Sequence, residues 1–123
     1  DAQRFEEGSP NTMSIHAFGA ALDLLLETGI ENIEKRLMGL GDTILEQLNQ
    51  RELKVYSSIR PDERSGNISF TLEKDVSQLY SYMLENKVKL TVRDGLVRLS
   101  PHFYNSEDEI LKFFDLLDKY RKI

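Results

Sequence analysis

Asp94-Gly95 constrains this chain more than any other pair of residues. It separates a run in which Val88, Leu90 and Val92 alternate with polar residues from Leu96-Val97-Arg98-Leu99. A two-residue link of this type needs positive φ, so the pair predicts a β-hairpin with a fixed register. Two more alternating runs precede it: Leu53 and Val55, then Ile68, Phe70 and Leu72. Everything else with a clear period has the helical one. Ile15, Phe18, Leu22, Leu25 and Leu26 make one apolar face, and Ile33, Leu37, Leu40, Ile44 and Leu48 a second. Val76, Leu79, Tyr80 and Met83 make a third, and Ile110, Phe113, Phe114, Leu117 and Tyr120 a fourth.

The punctuation agrees with this division. Asn11 or Thr12 can cap the first helix, and Asp75 the third. Gly29 breaks the first helix, and Thr28 with Glu31 has the spacing of a capping box for the second. Ser106 with Glu109 has the same spacing before the last helix, and Glu107 and Asp108 add acids at its positive end. Gly39 and Gly41 lie inside the second helix, where each costs about 1 kcal/mol against Ala and implies a close neighbour. The order helix, helix, strand, strand, helix, strand, strand, helix predicts an α+β domain. Its small, mostly antiparallel sheet has about four strands, with helices packed on one face.

Composition narrows the function. The chain has 123 residues, one domain's worth, with Lys+Arg 16 against Asp+Glu 21. A net charge of −5 gives no sign of a nucleic-acid partner. No apolar run approaches the roughly 20 residues of a membrane span, and the charged N-terminal stretch does not read as a signal peptide. A cytoplasmic location is the expectation. There is no cysteine, so disulfides, zinc–cysteine sites and thiol nucleophiles have no residues to form from. His16 and His102 have no ligand-like neighbours at metal spacing, so no metal site is expected and both read as structural or surface residues. The chain starts at Asp1 without a methionine, which suggests a piece of something longer.

Two places carry candidate chemistry. Arg98 lies on a strand between Val97 and Leu99. A solvent-facing arginine and a guanidinium fixed to grip a carboxylate with two parallel bonds both fit that pattern. Arg93, across the Asp94-Gly95 turn, offers the same choice. Gly8-Ser9-Pro10-Asn11 reads either as a helix cap or as an anion site, since a hydroxyl and backbone N–H groups before a helix suit a phosphate.

The strings themselves resemble a family. Arg4-Phe5-Glu6-Glu7-Gly8-Ser9-Pro10-Asn11 is similar to a segment of class V aminotransferases, the fold-type I pyridoxal-phosphate group that includes cysteine desulfurases, selenocysteine lyases and epimerase-like enzymes. Gly29–Ile33, Ser65–Phe70 and Val97-Arg98-Leu99-Ser100-Pro101-His102-Phe103-Tyr104-Asn105 resemble it too, in the family's order. The resemblance implies a C-terminal small domain over residues 13–123, with residues 1–12 leading from a large domain. That large domain would hold pyridoxal 5'-phosphate and the Schiff-base lysine, because none of the eight lysines here has the family's His-Lys setting. The fragment would then be inactive by itself, and the whole enzyme a homodimer acting on an amino acid as transaminase, lyase or epimerase. Arg98 matches the family's substrate-carboxylate arginine, and Arg93 would stand at the substrate entrance. Gly8 and Ser9 match the pair that reaches the cofactor phosphate of the neighbouring subunit. The desulfurase loop with its reactive cysteine has no counterpart, since that stretch is reduced to Val92-Arg93-Asp94-Gly95 and the chain has no cysteine. The alternative is a free-standing α+β ligand-binding or regulatory module.

Overall fold

The computed structural model describes Gly8 and residues 10–123. The chain divides into two compact units at Ile33/Glu34.

The first unit is dominated by helix α1 (Thr12–Thr28). Asn11 caps it, its Oδ1 accepting from the Ser14 N–H at 3.1 Å. No residue of α1 is buried. The apolar face expected from Ile15, Phe18 and Leu22 does form, but Phe18 is 65% exposed. Gly29, at φ 86°, ends α1, and helix α2 (Ile30–Gln50) starts at the next residue. The expected capping box at Thr28 does not form. The Thr28 hydroxyl donates instead to the Leu24 carbonyl at 2.8 Å, the back-bond open to any helical Ser or Thr.

The second unit holds the rest of α2, strand β1 (Ile68–Phe70), helix α3 (Val76–Glu85), strands β2 (Thr91–Arg93) and β3 (Leu96–Leu99), and helix α4 (Glu107–Lys122). The sheet order is β1-β3-β2, antiparallel throughout. This is the α+β arrangement expected, with three strands where about four were predicted. The Leu53–Val55 run contributes a single bridge, Val55 to Phe70. The reason is local. The Thr71 N–H reaches the Lys54 carbonyl and the Tyr56 N–H reaches Ser69, but the next ladder donor, the Ser69 N–H, is taken by the Ser57 hydroxyl at 2.7 Å. A side chain has replaced the backbone acceptor, and pairing stops.

Asp94 (φ 53°) and Gly95 (φ 75°) form the predicted turn. Its register sets Val92 opposite Val97 and Arg93 opposite Leu96. One face of the sheet meets the core, where Phe70 and Val97 are fully buried beside Ile68 and Leu99. Leu40, Ile44 and Leu48 of α2, Leu79 and Met83 of α3, and Phe113, Phe114 and Leu117 of α4 close over it. Tyr80 points outward, contrary to expectation; Tyr82 packs inward instead, its ring 5.6 Å from Tyr120. Of the two helical glycines, Gly41 is buried against β1, where an added Cβ would lie 3.8 Å from Ile68 Cδ1. Gly39 faces open space.

Two ionic links tie α4 to α2 and to the turn that follows it. Arg51 forks onto Asp118, with Nε to Oδ1 at 2.9 Å and Nη2 to Oδ2 at 2.7 Å, and its guanidinium lies over the Phe114 ring. These bonds hold the Asp118 carboxyl below its usual range. Arg36 reaches Glu107 at the start of α4. The Ser106–Glu109 capping box forms as predicted, and the Ser106 N–H and Asn105 amide hold the Glu109 carboxyl low.

Candidate functional site

Alternation along β3 sends Val97 and Leu99 to the core and leaves Leu96 and Arg98 on the opposite face. β3 is the central strand. Arg98 is therefore flanked by Ser69 of β1 and Thr91 of β2, its two register partners. The residue is half-buried, and its Nε is shut off from solvent with no hydrogen-bond partner among the described residues. An arginine N–H buried without an acceptor costs of the order of 1–3 kcal/mol, which a carboxylate ligand would recover. A central strand holds the fork in place before any ligand arrives.

Arg93 occupies the same face, at the last paired position of β2 before the turn. Its only salt bridge among the described residues is to Asp94, at 3.5 Å between two strongly exposed side chains. Gly8, at φ 76°, precedes α1. Ser9, the other half of the proposed phosphate contact, lies outside the described residues, as does the segment 1–7.

β3 leads into a loop, Ser100–Asn105, that is pinned from three sides. The Asn105 Oδ1 accepts from the His102 N–H at 2.8 Å, and the Asn105 Nδ2 donates to Glu109. The Arg36 Nη2 donates to the Asn105 carbonyl at 2.9 Å. Sequence reasoning missed Arg36, because its partners lie about seventy positions away and no local pattern marks it. The His102 ring stacks on Tyr104 at 4.7 Å, and its Nδ1 is buried without a partner among the described residues. The expected structural role for His102 agrees with the stacking. Among the described residues no group of His, Cys, Asp and Glu could hold a metal ion.

A cleft of about 310 Å³ opens beside the end of β3, lined by Leu99, Ser100, Pro101 and α4, with Lys87, Lys89 and Lys112 at its margin. Arg98 does not line it, since neighbouring residues of a strand face opposite sides. No single helix among the described residues is long and apolar enough to cross a membrane.

Known proteins share this chain's fold and sequence pattern. The chain is 27% identical to an uncharacterized aminotransferase, YcbU, of Bacillus subtilis, covering 93% of this chain and 30% of that protein. It is 34% identical to a cysteine desulfurase of Cronobacter sakazakii, covering 87% of this chain and 29% of the relative. The apo structure of a cysteine desulfurase from Thermococcus onnurineus superposes with a TM-score of 0.90 at 22% identity, over 98% of this chain and 34% of that one, and so shares the fold. The chain thus spans about a third of the length of the proteins it matches. The sequence model of the family described as Aminotransferase class-V matches residues 1–113, and the chain belongs to that family.

Proposed function

We propose that this chain is the C-terminal small domain of a pyridoxal-phosphate-dependent enzyme acting on an amino acid, with Arg98 as the residue that holds the substrate α-carboxylate. The observation that carries the reading is the buried, unpartnered Nε of Arg98 on the central strand. A forked donor fixes both the position and the plane of a carboxylate, and with it the bond to be broken at Cα. Arg93 stands at the edge of the same face as the entrance residue.

The residues present fit the cofactor's phosphate at the start of α1. Gly8 has the left-handed backbone that favours glycine, and the first turn of α1 carries no acidic side chain to repel an anion. Gly8 and Ser9 would hold that phosphate across a homodimer interface. When bound, pyridoxal 5'-phosphate supplies the electron sink for bonds broken at Cα.

Residues 1–12 then lead from a large domain carrying the Schiff-base lysine, and 13–123 form the small domain. The chain by itself is inactive, and the whole enzyme is cytoplasmic. The exposed apolar face of α1 is the surface on which the rest of the longer protein packs, since no residue of α1 is buried among the described residues. With no cysteine anywhere in the sequence, no persulfide forms on this domain, which favours transaminase, lyase or epimerase chemistry over desulfuration. The test is an amino-acid titration of the full-length enzyme followed by cofactor absorbance. Arg98→Ala should abolish saturation at ordinary substrate concentrations while the cofactor stays bound, and Arg98→Lys should not restore it, since a single ammonium lacks the fork. A variant that titrates like the wild type would make Arg98 a surface arginine.

A further inference from the structure

The open face of the sheet carries two arginines and no acid. The register places Thr91 opposite Arg98 and Arg93 opposite Leu96, so Arg93 and Arg98 are diagonal neighbours on the face turned away from Val92 and Val97. Diagonal positions on an antiparallel pair lie roughly 7–8 Å apart, within common reach of long side chains. Ser69 completes the face from β1. Two like charges on one face repel by Coulomb's law, and an anion between them relieves the repulsion. Arg93 meets only Asp94, a turn residue about as exposed as itself, and an exposed pair of this kind contributes about 0–1 kcal/mol. Arg98 meets no acid among the described residues and keeps a buried donor unpartnered. The turn has only two residues, so Arg93 is held at a paired strand position instead of on a free loop.

We infer that the two guanidinium groups together form a site for a ligand with two acidic groups, and that the amino-acid substrate carries an acidic side chain. This rests on the Arg98 assignment above and adds the substrate class. Arg98 takes the α-carboxylate, and Arg93, nearer the sheet's edge, takes the second acidic group one or two methylenes further along the substrate. Ser69 and Thr91 flank Arg98 with hydroxyls that can bond the free carboxylate lone pairs. An edge-strand cation also discourages pairing with another chain, so the test must separate a ligand role from that one.

The experiment titrates the full-length holoenzyme with glutarate and, separately, with butyrate, each read as a competitor of the amino-acid substrate. Glutarate should bind about tenfold more tightly than butyrate, the effect of a second charge-assisted contact. Arg93→Ala should lower glutarate affinity to that of butyrate. Arg93→Lys, which keeps the edge charge, should fall between the two. Glutarate binding no tighter than butyrate, or an Arg93→Ala enzyme that keeps the preference, overturns the inference. Failure of the carboxylate reading shows separately, in an Arg98→Ala enzyme that titrates normally with amino acids. In the full-length enzyme the ratio of kcat/KM for glutamate over that for alanine should fall at least tenfold in Arg93→Ala, and an unchanged ratio also overturns it.

Discussion

Helices α1 and α4 are close to equal in length, at 17 and 16 residues, and both are apolar on one side and capped by a polar side chain. α4 buries Ile110, Phe113, Phe114, Leu116, Leu117 and Tyr120, whereas α1 buries nothing. The difference is not in helix-forming chemistry, which is sound in both. It lies in burial. The sheet and α2 give α4 a surface to close on, whereas no residue of α1 is buried among the described residues. Amphipathic period reports that a face is to be covered, but not by whom.

The sharpest way to break this comparison is to truncate matched aromatics. Phe114→Ala should cost about 3–5 kcal/mol in urea unfolding, since it empties a fully buried site. Phe18→Ala should cost less than about 0.5 kcal/mol in the same chain. Equal losses would mean that α1 is packed after all.

A smaller effect tests what fastens α4 to the turn after α2. Arg51→Ala should cost about 1–2 kcal/mol, because it removes a bidentate pair that is only partly exposed. The pair also has a pH signature. The Arg51 hydrogen bonds, and after them the charges of Arg51, Arg121 and Lys122, depress the folded carboxyl of Asp118. The resulting stabilisation is full above the unfolded value, near pH 4, and is lost as pH falls through the lower folded value. Asp118→Asn should therefore flatten the acid limb of a stability–pH curve, and an unchanged limb would show that other carboxylates carry it.

The exposure of α1 was not legible in the sequence, but much of the second unit was. The alternation at Ile68 and Phe70 and at Val97 and Leu99, the Asp94-Gly95 turn and the Ser106–Glu109 box all depend on neighbours in the chain, and all form as read. Arg98 could be placed on the open face from alternation alone. What escaped depended on competition or on distance. Thr28 has the right spacing for a cap, but its hydroxyl has an equally local acceptor in Leu24. The Leu53–Val55 run has strand pattern, and the Ser57 hydroxyl ends its ladder. Arg36 looks like any exposed helical arginine until Asn105 folds against it.

Two modest effects sharpen the account of how α3 and α4 are bounded. Ser106→Ala should cost about 1 kcal/mol, as loss of an N-cap does, read as a lower midpoint in urea. Lys87 follows α3 at φ 61°, where glycine is usual. Lys87→Gly should stabilise the chain by about 0.5–1 kcal/mol, since the residue no longer strains the left-handed conformation. A destabilised Lys87→Gly chain would mean that the lysine side chain itself holds the cleft beside α4.

No residue of α1 is buried among the described residues, and the proposed function has the rest of a longer enzyme cover its apolar face. Amide hydrogen exchange measures it directly, comparing the 123-residue chain with the full-length protein. The α1 amides of the short chain should exchange much faster than those of α4, and in the full-length protein they should be protected to a degree comparable with α4. Equal protection of α1 in both proteins, or rapid exchange in both, would contradict the account.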